Sequence, residues 1–287
     1  SAWRQITGFG GWLTGASIAG TMTSEGQKFV LGGFLGPAAV ALFERAVQVP
    51  SIFRMSLIAP VGRVLFPAFA EDIRNGERIG PKVEMLIAFN TILVWPAFAV
   101  AAVVAEPLIV FVFGPQWRVA GTILPYLLWS QAFLALLPQP EQILVPYGRV
   151  RRAFWVRGFA VINGLGFTAL GAMHSLEMVA YLRPLTTTIF VAVLALSMFR
   201  LMDVRTGSLG TGYVKALITA AVCAAPAIML VRATPGDLPV THLLAVLGGA
   251  APLWLLTVFA LQHPIAREIG RIAIEARRRA LSMARRA

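Results

Sequence analysis

Long stretches of this chain carry no charge at all. Met85–Ala105, Val119–Pro140, Gly158–Leu176, Pro184–Phe199, Ala216–Val231 and Pro239–Ala266 contain no Asp, Glu, Lys or Arg. Several of these runs reach the ~20 residues that a helix needs to cross a ~30 Å hydrocarbon layer. The pattern predicts eight membrane helices, at roughly 10–34, 38–70, 83–105, 119–147, 154–174, 177–200, 212–232 and 241–262. The second is longer than a bilayer requires, so its ends should protrude or tilt. Pro96, Pro125, Pro138 and Pro252 imply kinks, which neighbouring helices can tolerate by re-satisfying the freed carbonyls. Glycines such as Gly164, Gly166, Gly171, Gly248 and Gly249 fit close helix packing. The fold class is therefore all-α and polytopic.

Composition agrees. Of 287 residues, 57% are hydrophobic and 13% charged, about half the charge of a soluble domain. The net charge of +12 does not point to nucleic acid, because the basic residues lie in short loops and a tail, not on one soluble face with interleaved aromatics. Counted loop by loop, 18 Lys and Arg fall on one side of the predicted membrane and 3 on the other. The sparse side has Lys28, Arg118 and Arg232; Arg45, Arg54, Arg63 and Arg183 fall within helices. The rule that cytoplasmic loops are basic then places both chain ends in the cytoplasm. Trp117 and Trp155 fall near the predicted interfaces. The single cysteine, Cys223, forms no intrachain disulfide. The chain starts at Ser1 without a signal-peptide pattern and reads as a fragment or a processed chain.

Residues 263–287 repeat apolar positions at helical spacing (Ile265, Ile269, Ile272, Ala276, Ala280, Met283) with arginines filling much of the rest. A basic amphipathic helix on anionic membrane lipids and a solvated charged tail both fit this pattern.

Two motifs carry a family resemblance. Gly32–Glu71 holds Phe34–Gly36 ("FLG"), Phe43–Ala46 ("FERA") and Val64–Phe69 ("VLFPAF"); Ala105–Trp117 reads "AEPLIVFVFGPQW". A weaker third is Tyr147–Arg149, "YGR". Together they resemble the second half of Wzx-type polysaccharide-biosynthesis flippases, of the multidrug/oligosaccharidyl-lipid/polysaccharide exporter superfamily. The resemblance implies two six-helix lobes around a cavity, often with two extra C-terminal helices. By that mapping residues 1–200 are the second lobe, 201–262 the extra pair and 263–287 the tail, while the N-terminal lobe is missing and would be a partner. It further implies a polyprenyl-pyrophosphate-linked oligosaccharide as cargo, moved by alternating access across the cell inner membrane.

Charge near a bilayer centre is costly and normally faces a cavity or a partner. In the long second helix Arg54 falls near mid-depth. Arg45 and Arg63 fall toward the interfaces on the opposite face, where snorkelling accounts for them. Arg183 precedes Pro184 inside the sixth helix. Arg54 and Arg183 are the candidate substrate-binding residues, since a guanidinium fork matches phosphate oxygens. Glu25 and Lys28 sit three apart and read as an ion pair. Glu141, deep in the fourth helix, reads as the partner of an arginine from another helix, or as a protonated acid open to ion coupling.

Enzyme chemistry finds no support. His174, His242 and His263 are scattered at helix ends, without a metal-ligand spacing, a phosphate loop or a cofactor motif. The competing readings are a lipid II flippase, a multidrug/cation antiporter of the same superfamily, and a non-transporting membrane scaffold.

Overall fold

The computed structural model describes residues 2–202, 204, 206–234 and 238–263; the predicted basic tail lies outside them. The described chain is helical throughout, as the uncharged runs predict. In order, the helices are α1 (Ala2–Phe53), a π-helical turn (Arg54–Ile58), α2 (Ala59–Arg74), α3 (Gly80–Val103), α4 (Ala105–Phe113), a 3₁₀ turn (Pro115–Trp117), α5 (Arg118–Leu134), α6 (Pro140–Leu144), α7 (Val150–Ala172), α8 (Leu176–Met202), α9 (Thr206–Ala233) and α10 (Val240–Ala260).

Six of the described helices are long and apolar enough to cross a membrane. The first of them, Gly10–Ser56, has 47 residues, about twice what one crossing needs. Gly36 has φ 81° and ψ 174°, a conformation that essentially only glycine adopts, and Pro37 follows it. Lys28 Nζ lies 3.4 Å from Glu44 Oε2, and a Cβ on Gly32 would stand 3.5 Å from Val40. In one continuous helix residues 28 and 44 would be about 24 Å apart. The chain therefore reverses at Gly36, and α1 is an antiparallel hairpin of two arms, as the predicted gap between 34 and 38 requires.

Two expected boundaries change. Residues 106–118, read as a bare loop, are mostly the short apolar helix α4, separated from α3 at Val104 (φ −105°, ψ 26°). Its one acid, Glu106, pairs with Arg118 at 2.8 Å, so the hairpin tip neutralises its own charge. The absence of a side chain at Gly121 lets α5 approach closely, since a Cβ there would lie 2.6 Å from Glu106 Cα. The expected helix 119–147 is likewise interrupted: α5 ends at Leu134, Pro138 lies in the break, and α6 starts at Pro140. Lipid does not hydrate the carbonyls freed there. Instead Trp95 Nε1 donates to Ala132 O (3.0 Å) and the Tyr213 hydroxyl to Leu136 O (2.8 Å), with the two rings stacked 6.0 Å apart.

Of the glycines read as packing positions, Gly171 and Gly164 meet neighbours. A Cβ at Gly171 would lie 2.7 Å from Val179 Cα, and one at Gly164 would lie 3.3 Å from Gln27 Nε2. Gly166, Gly248 and Gly249 face open space. The α9–α10 pair leans on α3, tied by the Trp254 indole donating to Ile92 O at 2.8 Å and the Ser208 hydroxyl donating to Glu84 at 2.6 Å.

The interior divides by depth. One apolar cluster, toward Gly36, gathers Leu31, Phe43, Ile109, Leu124, Leu128 and Val179; a second, toward the turn at 75–79, gathers Phe69, Ile79, Ile87, Ile143, Leu194 and Met198. Between them runs a belt of buried polar residues: Gln27, Asn90, Thr91, Ser130, Asn163, Thr168, Thr186 and Thr187.

Candidate functional site

The polar belt is organised by α8. Pro184 denies this helix one backbone donor, and the residues around it reach sideways. The Asn163 amide on α7 donates to Thr186 O at 2.8 Å, and Ser130 on α5 shares a 2.6 Å hydrogen bond with Thr187. One turn nearer Gly36, Arg183 Nη2 donates to Gln27 Oε1 on the first arm of α1 at 2.9 Å. The guanidinium carbon also stands 5.5 Å from the centroid of Phe43, on the second arm. The two arms of α1 thus hold one half-buried arginine of α8.

What holds Arg183 is neutral. Among the described residues no carboxylate lies within ion-pair distance of it, and two nitrogens in the contact, Arg183 Nε and Gln27 Nε2, are buried without a hydrogen-bond partner. Buried donors are normally satisfied, and a buried cation is normally paired. The nearby acids on α1 are already engaged: Lys28 bridges Glu25 at 3.1 Å and Glu44 at 3.4 Å across the hairpin. Arg183 therefore keeps an unused positive charge and free donor capacity, which suit an anion with several oxygens.

The other predicted residues lie elsewhere. Arg54 is exposed, opens the π-helical turn, and has no hydrogen bond or ion pair among the described residues. Measured along the helices, Arg54 is about 27 Å below Gly36 while Arg183 is about 10 Å below the start of α8. The two arginines share no partner, so they form two positions at different depths. The π turn had a readable signal: Pro60 lacks the N–H that would close the ordinary ladder, and Ala59 N–H bonds instead to Arg54 O. Arg45 lies toward Gly36, its guanidinium 4.9 Å from the Trp117 ring centroid and 5.5 Å from that of Phe113, as an interfacial anchor would. The side chain of Arg63 lies outside the described part.

Glu141 finds its arginine. It sits at the start of α6, not in mid-helix, and accepts both Nε and Nη2 of Arg157 on α7, the latter at 2.7 Å. Arg157 also donates to Gln139 at 3.2 Å. Arg157, one of the 18 cations that the loop count assigns to the basic side, belongs to the second turn of α7 and faces α6. A separate cleft of about 670 Å³ opens between α4, α5 and the adjoining ends of α9 and α10, lined by Glu106, Arg118, Pro125, Val231 and Leu243 among others; neither Arg54 nor Arg183 borders it.

Comparison with known proteins places this arrangement. A family model described as polysaccharide biosynthesis protein matches residues 1–121. Over this stretch the chain matches the polysaccharide biosynthesis family. The hairpin α1, the π turn and the α4 turn all lie inside it, and the resemblance drawn from Gly32–Glu71 and Ala105–Trp117 is borne out. Among curated proteins, the chain is 26% identical over 165 residues to the succinoglycan biosynthesis transport protein ExoT of Rhizobium meliloti, covering 56% of this chain and 33% of that one. It is 31% identical over 119 residues to the lipopolysaccharide biosynthesis protein WzxC of Escherichia coli, covering 42% and 24%. It is 26% identical over 185 residues to the teichuronic acid biosynthesis protein TuaB of Bacillus subtilis, covering 62% and 37%. The chain thus aligns with about a quarter to a little over a third of the length of these relatives. No solved structure matches it.

Proposed function

We propose that the protein moves a polyprenyl-pyrophosphate-linked oligosaccharide, the repeat unit of a polysaccharide or lipopolysaccharide, across the inner membrane by alternating access. The observation that carries this reading is the guanidinium of Arg183, held in the membrane by a neutral amide and a ring, with unused donors beside it. A pyrophosphate leaving the headgroup layer loses its hydration, and a cation already desolvated by its neighbours offsets that loss. The prenyl tail needs no site, because it stays in lipid.

Arg54 serves the same anion at another depth. A cargo passing from one leaflet to the other meets the two arginines in turn, so neither binds it tightly enough to stop it. In this reading residues 1–200 form one rocking lobe, 201–262 an added pair, and a second lobe completes the cavity. The basic side is cytoplasmic, which puts the turns at 75–79 and 145–149 inside and Gly36 outside.

The test uses a strain lacking the protein and complemented with variants. R54Q/R183Q should leave the protein in the membrane at wild-type level while surface glycan falls and lipid-linked sugar accumulates on the cytoplasmic side. Unchanged export by this double variant would overturn the assignment. Export of small cationic compounds driven by a cation gradient, with glycan unaffected, would favour an antiporter instead.

A further inference from the structure

At the end of the bundle away from Gly36, α1 and α7 meet through an aromatic shelf. Trp12 packs edge-on against Phe154 with ring centroids 5.0 Å apart, and Phe154 against Trp155 at 5.6 Å. Gly15 makes this approach possible, since a Cβ there would lie 2.9 Å from the Phe154 ring. The shelf carries three exposed cations. Arg151 stands 5.7 Å from the Trp12 centroid, and Arg149 and Arg152 flank it at the start of α7. Among the described residues none of the three has an ion-pair partner, and the first turn of α7 contains no acid.

The same helix continues the surface in apolar form. Trp155 is 60% exposed, Ile162 76%, Leu170 55% and Met173 61%. Steps of seven, eight and three place these side chains on one face, running from the arginines along the length of α7. An anion-matching cluster, an amphipathic indole at its edge and a long apolar track follow one another in the order of a membrane lipid: phosphate, ester region, acyl chain.

We propose that this face of α7 is a binding site for an acidic glycerophospholipid, with Arg149, Arg151 and Arg152 on its headgroup and its chain along Trp155, Ile162 and Leu170. The occupant is a lipid rather than free phosphate because the apolar track is continuous with the cations. It is a resident phospholipid rather than cargo because the cations are exposed on the outside of the helix pair, whereas Arg183 is half-buried between α8 and the two arms of α1. The binding is independent of the transport reading and needs only that the chain spans a membrane.

The protein in nanodiscs of phosphatidylcholine, with and without one-third phosphatidylglycerol, tests the site by native mass spectrometry of retained lipid and by thermal unfolding. The wild type should retain phosphatidylglycerol preferentially and melt higher in its presence. R151Q/R152Q should lose about tenfold or more of that preference, the scale expected for removing two cations from an anionic surface. R74Q/R200Q, which removes two other exposed arginines, should keep it. An equal loss in both double variants would show a diffuse charge effect and overturn the site. Displacement of retained phosphatidylglycerol by a polyprenyl pyrophosphate at equal concentration would assign the face to cargo and overturn the lipid assignment.

Discussion

Arg183 and Gln27 meet at 2.9 Å across 156 positions of sequence, and each keeps a buried nitrogen with nothing to bond. A contact built for stability would not leave this residue. Replacing Arg183 by Leu removes the orphan Nε and the unpaired charge, so the fold should hold or gain in thermal stability. Glycan export should fall by about ten- to a hundredfold, the worth of one or two charge-assisted hydrogen bonds. R183K should restore only part of the export, because an ammonium lacks the planar fork. Unfolding midpoints in detergent, set beside export in cells, separate the two effects.

The Glu141–Arg157 pair should behave in the opposite way. It joins α6 to α7 with two parallel bonds and leaves no donor idle on the side facing Glu141. E141Q and R157Q should each lower stability by about 1–3 kcal/mol, as expected when one partner of a half-buried charged hydrogen bond is removed. The double variant should lose less than the sum of the singles. A double-mutant cycle on thermal unfolding reads this coupling, and an additive result would mean the pair is not formed.

Gly36 offers a test of backbone conformation free of crowding. A Cβ there would meet nothing within 4 Å, yet φ 81° with ψ 174° is strained for any L side chain. G36A should therefore cost about 1–3 kcal/mol purely through the backbone. G33A, a few residues earlier in ordinary helix and equally uncrowded, should cost nothing or stabilise slightly. Urea or thermal unfolding of the two variants side by side gives the comparison.

His263, just past α10, gives the fold a dependence on acid. Burial, with Lys215 nearby, lowers its pKa from 6.5 to about 4. Between these values the unfolded chain binds a proton that the folded chain refuses, so stability falls as pH drops from about 6.5 toward 4. The loss amounts to at most about 3 kcal/mol. H263Q should flatten this part of the stability–pH curve, and unfolding midpoints from pH 4 to 8 would show it.

The all-helical, polytopic class was legible because lipid forbids charge, and the places where charge is forbidden stand out in sequence. The reversal at Gly36 was legible for a related reason: glycine followed by proline between two apolar runs has few other uses. The α4 helix was not, since Glu106 and Arg118 read as loop charges until their mutual pairing is seen. Arg157 was misplaced in the same way, because a cation two turns from an interface looks like an anchor whether or not an acid waits on the next helix. Least legible was the polar belt. Gln27, Ser130, Asn163 and Thr187 are single polar residues in four separate apolar runs, and only packing shows that they stand at one level. Arg54 and Arg183 were found as charges out of place, but their separation in depth follows from how far each lies from its own turn.

The tight hairpin of α1 also bears on how the protein is made. Its arms touch through residues only eight to sixteen positions apart, Gly32 with Val40 and Lys28 with Glu44. Contacts this local form quickly and need no later part of the chain. Two passes can leave the ribosome, close on each other and enter the membrane as one unit while Arg183 is still unsynthesised. Gln27 then waits, its side chain already set in place, for the helix that completes the contact.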